Sequence, residues 1–183
     1  MEKGLQMLIG LTGYARSGKD SVAEILVKRF GFKRVAFADP IRELLYELNP
    51  QIGSLELREF VDQYGWDVAK ANPKVREMLQ NLGVGARKLF HETFWIEQAL
   101  KKVQDAERIV VTDVRFKNEA NWIKGYESSQ IWRIKRLNTG AINDHVSEAE
   151  MDDYKVDQIF INHGTLDDLD HLVVQRMIPY LGE

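Results

Sequence analysis

The sequence predicts an α/β fold in which helices flank a doubly wound, mostly parallel sheet of five strands. Three observations predict it. Short apolar segments alternate with segments whose apolar residues recur at helical spacing, most strand-like segments are followed by a helix, and the longest helical block, residues 54–103, lies between the second and third strands. Right-handed crossovers then bring the carboxyl ends of the strands to one edge of the sheet, where ligands bind.

The first predicted strand, residues 7–12, is a nearly continuous apolar run, which is typical of a strand buried on both faces of a parallel sheet. The fourth alternates apolar with basic residues. Together the five predicted strands cover residues 7–12, 34–37, 109–112, 131–135 and 158–161.

Capping signals delimit the predicted helices. Gly31 is placed to end the helix that follows the first strand. Asp39 and Pro40 offer an N-cap and a first-turn proline for a second helix, which Asn49-Pro50 ends. Further helices are predicted over residues 55–64, from the cap Asn72 to Gly83, and over 93–103, 118–124 and 166–177.

The composition is that of one globular domain, residues 1–183, of 21.2 kDa. Its 28 acidic and 25 basic residues give a net charge of −3, which argues against a nucleic-acid polymer or an anionic membrane as partner. The absence of cysteine excludes disulfides, thiolate catalysis and cysteine-bound metals. With neither a signal peptide nor an apolar stretch of the ~18 residues that a span requires, a cytoplasmic location is expected.

The loop after the first strand has the spacing of a Walker A motif, with Gly13, Gly18 and Lys19 at its ends. Glycines let backbone N–H groups surround phosphate oxygens, the following helix presents its positive end, and the lysine ammonium can follow the β- and γ-phosphates. The alternative is an ordinary strand–helix turn with a surface lysine, but the strand and helix on either side favour ATP. The predicted ATP-binding residues here are Gly13, Arg16, Ser17, Gly18, Lys19, Asp20 and Ser21.

The residue after Lys19 departs from the usual pattern. Asp20 stands where serine or threonine normally binds magnesium, and the hydroxyl comes one residue later, as Ser21. Ser21 is therefore the first candidate for the Mg²⁺ shell. Asp20 either reaches the metal as well or only complements the helix dipole.

Phosphoryl transfer requires positive charge at the transferring group, and such charge lies after the third and fourth strands. Asp113 ends the third strand, where a carboxylate could orient hydrated Mg²⁺; alternatively it caps the next helix. Arg115 is placed to hold the acceptor or transferred phosphate, or else pairs with Glu119. With Lys19, these two and Arg136 are the predicted catalytic residues.

Six segments, spread from about residue 8 to 172, have motifs in a characteristic order. They are Ser17–Ser21, Phe37–Arg42, Arg76–Gly83 with Arg87 and Trp95, Thr112–Glu119, His145–Glu148 and Asn162–Leu169. In these the chain resembles the bacteriophage deoxynucleoside monophosphate kinases, within the P-loop nucleoside monophosphate kinase superfamily. A more distant similarity, through the first segment, is to dephospho-CoA kinase and the animal type of phosphomevalonate kinase.

The resemblance implies a kinase that transfers the γ-phosphate of ATP, with Mg²⁺, to a deoxynucleoside monophosphate. Its partners would be small nucleotide substrates, and the family suggests a homodimer. If the enzyme is encoded by a phage, it would be located in the cytoplasm of the host. The related kinases also imply that residues 162–165, after the last strand, hold the adenine of ATP, more through backbone contacts than through side chains. Asn162 could equally be a turn residue. Residues 137–147 would be a short lid that brings Arg136, with Arg133 as a lesser candidate, over the phosphates. Arg133 and Lys135 could equally form the solvated side of an edge strand.

The helical insert, about residues 54–103, is predicted to bind the acceptor. A monophosphate requires arginines for its phosphate and an amide or aromatic group for its base, and Arg76 and Gln80 share a helix face. Trp95 could equally belong to the core, and Arg76 could simply pair with Glu77. The predicted acceptor residues are Arg42, Arg76, Gln80, Arg87, Trp95 and Arg115.

Two alternatives remain at this point. One is a P-loop kinase with another phosphorylated acceptor, of the dephospho-CoA or phosphomevalonate type. The other is a nucleotide-binding regulatory switch, which is disfavoured because no guanine-recognition motif of the Asn-Lys-x-Asp type follows a strand.

Overall fold

The computed structural model describes residues 7–136 and 150–180. The chain separates into two compact units, one built from the residues up to Ala36 together with those from Val103 onward, the other from Phe37–Lys102. The elements of the first unit are β1 (Met7–Thr12), α1 (Lys19–Phe30), β2 (Lys33–Val35), β5 (Arg108–Val111), α6 (Lys117–Lys124), β6 (Ser129–Arg136), β7 (Gln158–Asn162) and α7 (Leu166–Met177), followed by a 3₁₀ turn at Ile178–Tyr180. The elements of the second are α2 (Asp39–Leu48), β3 (Gln51–Ile52), β4 (Leu55–Glu56), α3 (Leu57–Ala71), α4 (Pro73–Leu89) and α5 (Phe94–Lys101).

The first unit contains a five-stranded sheet in the order β2-β5-β1-β6-β7, with every pair parallel. This confirms the predicted doubly wound α/β fold and all five strands. The central strand β1 lies between β5 and β6, with Gly10 paired to Val111 on one side and Ile131 on the other. The carboxyl end of β1, and the loop that follows it, therefore lie at the middle of the sheet edge.

Helices cover both faces of β1, which explains why its six residues are all buried. Ile9 and Leu11 belong to one apolar cluster with residues of α1 and α7. On the other face α6 lies so close that a Cβ at Gly10 would come within 2.7 Å of the Ile123 side chain. The close approach requires glycine at this point of the strand.

A capping box begins α7, directly after β7. The Thr165 hydroxyl accepts a hydrogen bond from the backbone N–H of Asp168 at 3.2 Å, and the Asp168 carboxylate accepts from the N–H and the hydroxyl of Thr165, each at 2.8 Å. The bond from the Thr165 N–H, together with that from its hydroxyl, lowers the pKa of Asp168 below its ordinary value. The box fixes the turn that joins the last strand to the last helix.

Replacing Asp168 with asparagine should reduce the dependence of stability on pH. Because the folded-state pKa is lowered, the Asp168 carboxylate stabilises the fold above its unfolded-state pKa, and this contribution is lost as the pH falls through the folded-state value. The free energy of unfolding of Asp168→Asn, measured in urea, should thus fall below that of the parent at neutral pH and approach it in acid. Asp167→Asn, in the same turn, is the control, since the Asp167 side chain accepts no hydrogen bond within the described part of the chain. A gap between Asp168→Asn and the parent that persists unchanged in acid would contradict the expectation.

The second unit differs from the prediction in several places. A short antiparallel hairpin, β3–β4, precedes the helices. The helix predicted to end at Tyr64 is interrupted directly afterwards by the non-helical Gly65 (φ 79°), but a further helical segment, which was not predicted, continues to Ala71. The predicted stop at Gly83 is wrong: α4 runs on to Leu89 because Gly83 is buried within the helix rather than exposed at its end. One apolar cluster of the unit contains Leu45, Ile52, Leu57, Val61, Ala69 and Val75.

Among the described residues, no helix is both long and apolar enough to cross a lipid bilayer.

Candidate active site

The loop between β1 and α1 has the backbone of a phosphate-binding loop. Gly13 and Gly18 have φ values of +135° and +107°, which side-chain-bearing residues rarely adopt. A Cβ at Gly13 would lie 2.2 Å from the carbonyl oxygen of Ile134 in β6, so no larger residue fits there. The two glycines of the Walker A spacing are therefore required by geometry as well as by conformation. Arg16, also with positive φ (63°), is exposed on the outside of this turn.

Lys19 is the first residue of α1 and folds back over the loop. Its ammonium Nζ donates to the carbonyl oxygens of Gly13 at 2.6 Å and Tyr14 at 2.8 Å. The positive charge is thus held above the backbone N–H groups and next to the positive end of α1. These features together attract a polyanion such as a nucleotide phosphate chain.

Ser17 supplies a polar atom inside the loop. The residue is only 1% exposed, and its hydroxyl oxygen has no hydrogen-bond partner within residues 7–136 and 150–180. Buried hydroxyls are nearly always paired in proteins, so this one marks a place where a ligand would complete the bonding. The site's donors fit the phosphates of a bound nucleotide.

A cavity of about 380 Å³ opens beside the loop. The four predicted catalytic residues Lys19, Asp113, Arg115 and Arg136 all line it. It also contains residues that the sequence did not single out, of which Tyr14, Met151 and Asp152 matter most. The carboxyl ends of β1, β5 and β6 bring these groups together, as expected for the edge of a parallel sheet.

The structure decides between the alternatives for Asp113 and Arg115. The N-cap of α6 is Phe116, so Asp113 does not cap that helix. The buried Glu119 carboxylate accepts from the backbone N–H groups of Arg115 at 2.8 Å and Phe116 at 3.1 Å. Glu119 thereby shapes the turn, while the exposed guanidinium of Arg115 makes no ion pair with the described residues and lines the cavity.

The two arginines near the end of β6 have different roles. Arg133 donates to the backbone carbonyls of Met151, Asp152 (3.1 Å) and Tyr154 (3.0 Å), and so anchors the segment before β7. Arg133 also lines the cavity, and its place in a lid stays a prediction. Arg136 is exposed at the end of β6 and lines the cavity. The predicted lid, residues 137–147, lies outside the described residues, as do His145, Ser147 and Glu148.

Tyr14 and Asp152 form a contact that sequence analysis missed. The Tyr14 hydroxyl donates to the Asp152 carboxylate at 2.6 Å, which joins the P-loop to the segment that Arg133 anchors. Tyr14 occupies a variable position of the motif, and Asp152 follows no strand directly. Neither residue therefore carries a recognisable signal in one sequence.

The candidate metal residues lie on the first turn of α1. Ser21 is half-buried and Asp20 is exposed. No group of three or more histidine, aspartate and glutamate side chains that could hold a metal occurs among residues 7–136 and 150–180.

Asn162, at the end of β7, is buried, and its side-chain amide donates to the backbone carbonyl of Ser17 at 2.9 Å. The prediction placed this residue at the adenine of ATP. The structure places its amide on the P-loop, and a backbone contact of residues 162–165 to adenine stays a prediction.

Within the second unit, the predicted acceptor residues lie mainly on α2 and α4. Arg42 pairs with Asp39 at 3.0 Å, and Asp39 is the first residue of α2 rather than its cap, which is Ala38. Arg76 is exposed and donates to the carbonyl of Lys70 at 3.2 Å. Gln80 is exposed one turn later, and Arg87 lies half-buried in the last turn of α4.

Trp95 corrects the prediction. Its side chain is 5% exposed, and its indole N–H donates to the carbonyl of Gly83 at 3.0 Å. The ring packs edge-on against Phe94. Trp95 belongs to the core of the second unit and joins α5 to α4, so its face is not available for stacking on a base.

A model of the deoxynucleotide monophosphate kinase family matches residues 51–173. The chain is also 32% identical over 178 residues to the "Putative deoxynucleotide monophosphate kinase" of Acanthamoeba polyphaga mimivirus, with 88% of this chain and 91% of that protein covered. The chain belongs to the deoxynucleotide monophosphate kinase family. It is thus a nucleotide kinase, and the predicted family is confirmed, while the phage origin stays a prediction.

The chain is also similar to an uncharacterised viral protein and to solved structures of low sequence identity. "Uncharacterized protein ORF76" of Ictalurid herpesvirus 1 (strain Auburn) is 28% identical over 176 residues, which cover 92% of the kinase but 66% of that protein. Among solved structures, TT1252 from Thermus thermophilus covers 97% of the kinase and 98% of its own chain, with a TM-score of 0.51 at 16% identity. For dephospho-CoA kinase from Campylobacter jejuni, the match covers 94% of the kinase and 96% of that chain, also with a TM-score of 0.51 at 16% identity. At this identity the likeness shows the fold.

Replacing Trp95 with phenylalanine should destabilise the kinase. The aromatic packing is largely kept, but the Gly83 carbonyl, which lies inside α4, loses the indole N–H as a donor, which costs about 0.5–1.5 kcal/mol of the free energy of unfolding. Urea denaturation of the parent and the variant measures the loss. Unchanged stability together with a raised acceptor KM would instead restore the predicted contact with a base.

Proposed function

We propose that this nucleotide kinase transfers the γ-phosphate of ATP to the phosphate of a deoxynucleoside 5′-monophosphate, giving the deoxynucleoside diphosphate and ADP. The observation that carries the proposal is the convergence of Lys19, Arg115 and Asp113 in one cavity beside the P-loop. The names of the matching family and of the mimivirus relative support the choice of acceptor.

In the proposed reaction the P-loop holds the donor. Its backbone N–H groups and the amino-terminal end of α1 bind the β- and γ-phosphate oxygens. The Lys19 ammonium exchanges the carbonyl oxygens of Gly13 and Tyr14 for phosphate oxygens when ATP enters. The Ser17 hydroxyl completes its bonding inside the filled loop.

The cavity supplies positive charge where charge shifts during transfer. Arg115 is exposed, makes no ion pair within the described ranges and has a planar fork that suits two phosphate oxygens at once. Arg136 lines the same cavity from β6. Since both groups are in place before the reaction, their stabilisation of the transition state costs little reorganisation.

Magnesium fits the donor set as an ion held largely by phosphate and water. Ser21, Asp20 and Asp113 are the oxygen-bearing side chains proposed to contact it or its water shell. When bound, Mg²⁺ neutralises phosphate charge and orients the phosphate chain. Asp113, half-buried just after β5 and lining the same cavity as Lys19, would help to hold such a shell.

The second unit is proposed to supply further contacts to the acceptor. Exposed or half-buried polar groups on α2 and α4 are of the types that bind a phosphate and a base edge. They are Arg42, Arg76, Gln80 and Arg87. Trp95 is excluded from this set because its ring is buried. We also propose that the kinase forms a homodimer and that its binding partners are small nucleotides.

The experiment is a coupled assay of ADP release with Mg·ATP against every ribo- and deoxyribonucleoside monophosphate. Dephospho-CoA and phosphomevalonate are included, and Lys19→Ala is the blank. Lys19-dependent turnover of one or a few deoxynucleotides is the expected result. Turnover only of another acceptor would overturn the substrate assignment while leaving the donor site, and binding of ATP without any turnover would favour a regulatory switch.

A further inference from the structure

Asn162 lies where the last strand meets the P-loop. It is 7% exposed, and its amide Nδ2 donates to the carbonyl oxygen of Ser17 at 2.9 Å. We propose that Asn162 is a positioning residue that holds the P-loop in its phosphate-binding conformation, rather than a residue that recognises adenine. The proposal rests on the proposed use of ATP as donor.

The hydrogen bond from Asn162 orients the Ser17–Gly18 peptide, whose N–H is one of the loop groups that can bind an anion. The Ser17 carbonyl belongs to the same peptide unit as the Gly18 N–H, and the two point in opposite directions because the unit is planar. Holding the carbonyl toward Asn162 therefore directs the Gly18 N–H away from Asn162. Gly18 has the left-handed φ of +107° that this orientation of the peptide demands.

Close packing reinforces the bond. A Cβ on Gly18 would lie 2.4 Å from Nδ2 of Asn162 and 3.8 Å from the side chain of Leu169 in α7. The amide thus fills the space that glycine leaves open. The glycine at this position of the motif is required by Asn162 as well as by the phosphate.

Asn162 is itself held firmly. It is paired with Arg136 in the parallel β6–β7 ladder, and the Thr165–Asp168 capping box fixes the turn three residues later. Because α7 and β7 are both anchored, the loop conformation is set by the last part of the sheet and not by the Gly13–Lys19 segment alone. Positioning of this kind acts on any ligand with a phosphate chain, whatever its base.

The test measures dissociation constants by calorimetry for ATP, GTP and inorganic tripolyphosphate. The variants are Asn162→Ala and, as a matched control, Asn121→Ala on α6, whose side chain accepts from Tyr154 outside the cavity. We expect Asn162→Ala to weaken all three ligands by the same factor, about 10-fold, and Asn121→Ala to leave them unchanged. The KM for the acceptor should also stay unchanged.

Asn162→Asp provides a second readout that a merely structural role would not move. A carboxylate cannot donate to the Ser17 carbonyl, whereas a protonated carboxyl group can. The affinity of Asn162→Asp for tripolyphosphate, relative to the parent at each pH, should therefore recover as the pH falls toward about 4. Asn162→Ala should show no such recovery.

The outcomes separate the positioning role of Asn162 from the proposed use of ATP as donor. A loss confined to ATP would assign the amide to adenine and overturn the proposal. So would a lower melting temperature of Asn162→Ala with unchanged affinities well below that temperature, since the residue would then only stabilise the fold. If the parent binds none of the three ligands, the proposed donor fails, and the inference fails with it.

Discussion

The variant Lys19→Ala is expected to lose nearly all phosphoryl transfer, with kcat reduced about 10³-fold. The Lys19 ammonium lies at the loop, where it donates to the carbonyl oxygens of Gly13 and Tyr14. Alanine removes the group that follows the transferring phosphate while leaving α1 intact, because alanine is a good helix former. Steady-state rates with the best acceptor of the nucleotide panel measure the effect.

The matched control for this variant is Lys28→Ala in the same helix. Lys28 is exposed, and among residues 7–136 and 150–180 it pairs only with Glu24, at 3.4 Å, so its removal should change kcat by less than about twofold. Equal losses in the two variants would indicate a general effect of charge or of helix stability. Full activity of Lys19→Ala would remove the P-loop from the mechanism.

For Arg115→Ala the expected result is a fall in kcat of about 10²–10³-fold with little loss of stability. The guanidinium is exposed and makes no bond to the described residues, so the fold does not depend on it; the turn is held by Glu119 through backbone N–H groups. Arg115→Lys should recover only part of the rate, since an ammonium lacks the planar fork. Rates and urea denaturation curves are measured on the same preparations.

Arg176→Ala, in the last turn of α7, is the control for Arg115→Ala. Arg176 is also an exposed arginine, but it does not line the cavity. It should leave kcat unchanged. A stability loss in Arg115→Ala as large as that of a core substitution would show that the turn needs the arginine. An unchanged kcat would exclude Arg115 from contact with the transferring phosphate.

The strand segments were predictable because the local sequence pattern determines them. The order of the strands in the sheet was not predictable in this way. The run from Met7 to Thr12 shows burial on both faces in the sequence itself. That β1 lies between β5 and β6 depends on partners about a hundred residues away, which one sequence does not reveal. The end of α4 was misjudged for a related reason: Gly83 was taken as a helix stop, but tertiary packing with Trp95 keeps it inside the helix.

The centre of the site was predictable from chemistry combined with topology. Lys19, Asp113 and Arg115 each follow a strand, and parallel strands share one edge. Trp95 was assigned by residue type alone, and residue type does not distinguish a ring in the core from one that stacks on a ligand. Tyr14 and Asp152 were missed because their contact joins two segments 138 positions apart.

The position of β1 in the sheet has a consequence for how the chain acquires its shape during synthesis. The P-loop leaves the ribosome well before the partners of β1, because Leu8 pairs with Ile109 and Ser129, which are made about a hundred residues later. The unit Phe37–Lys102 is contiguous and can gain its local contacts in the meantime. Because such non-local pairing is slow, we expect the nucleotide-binding loop to become ordered late in folding, after its own helix and the helical unit.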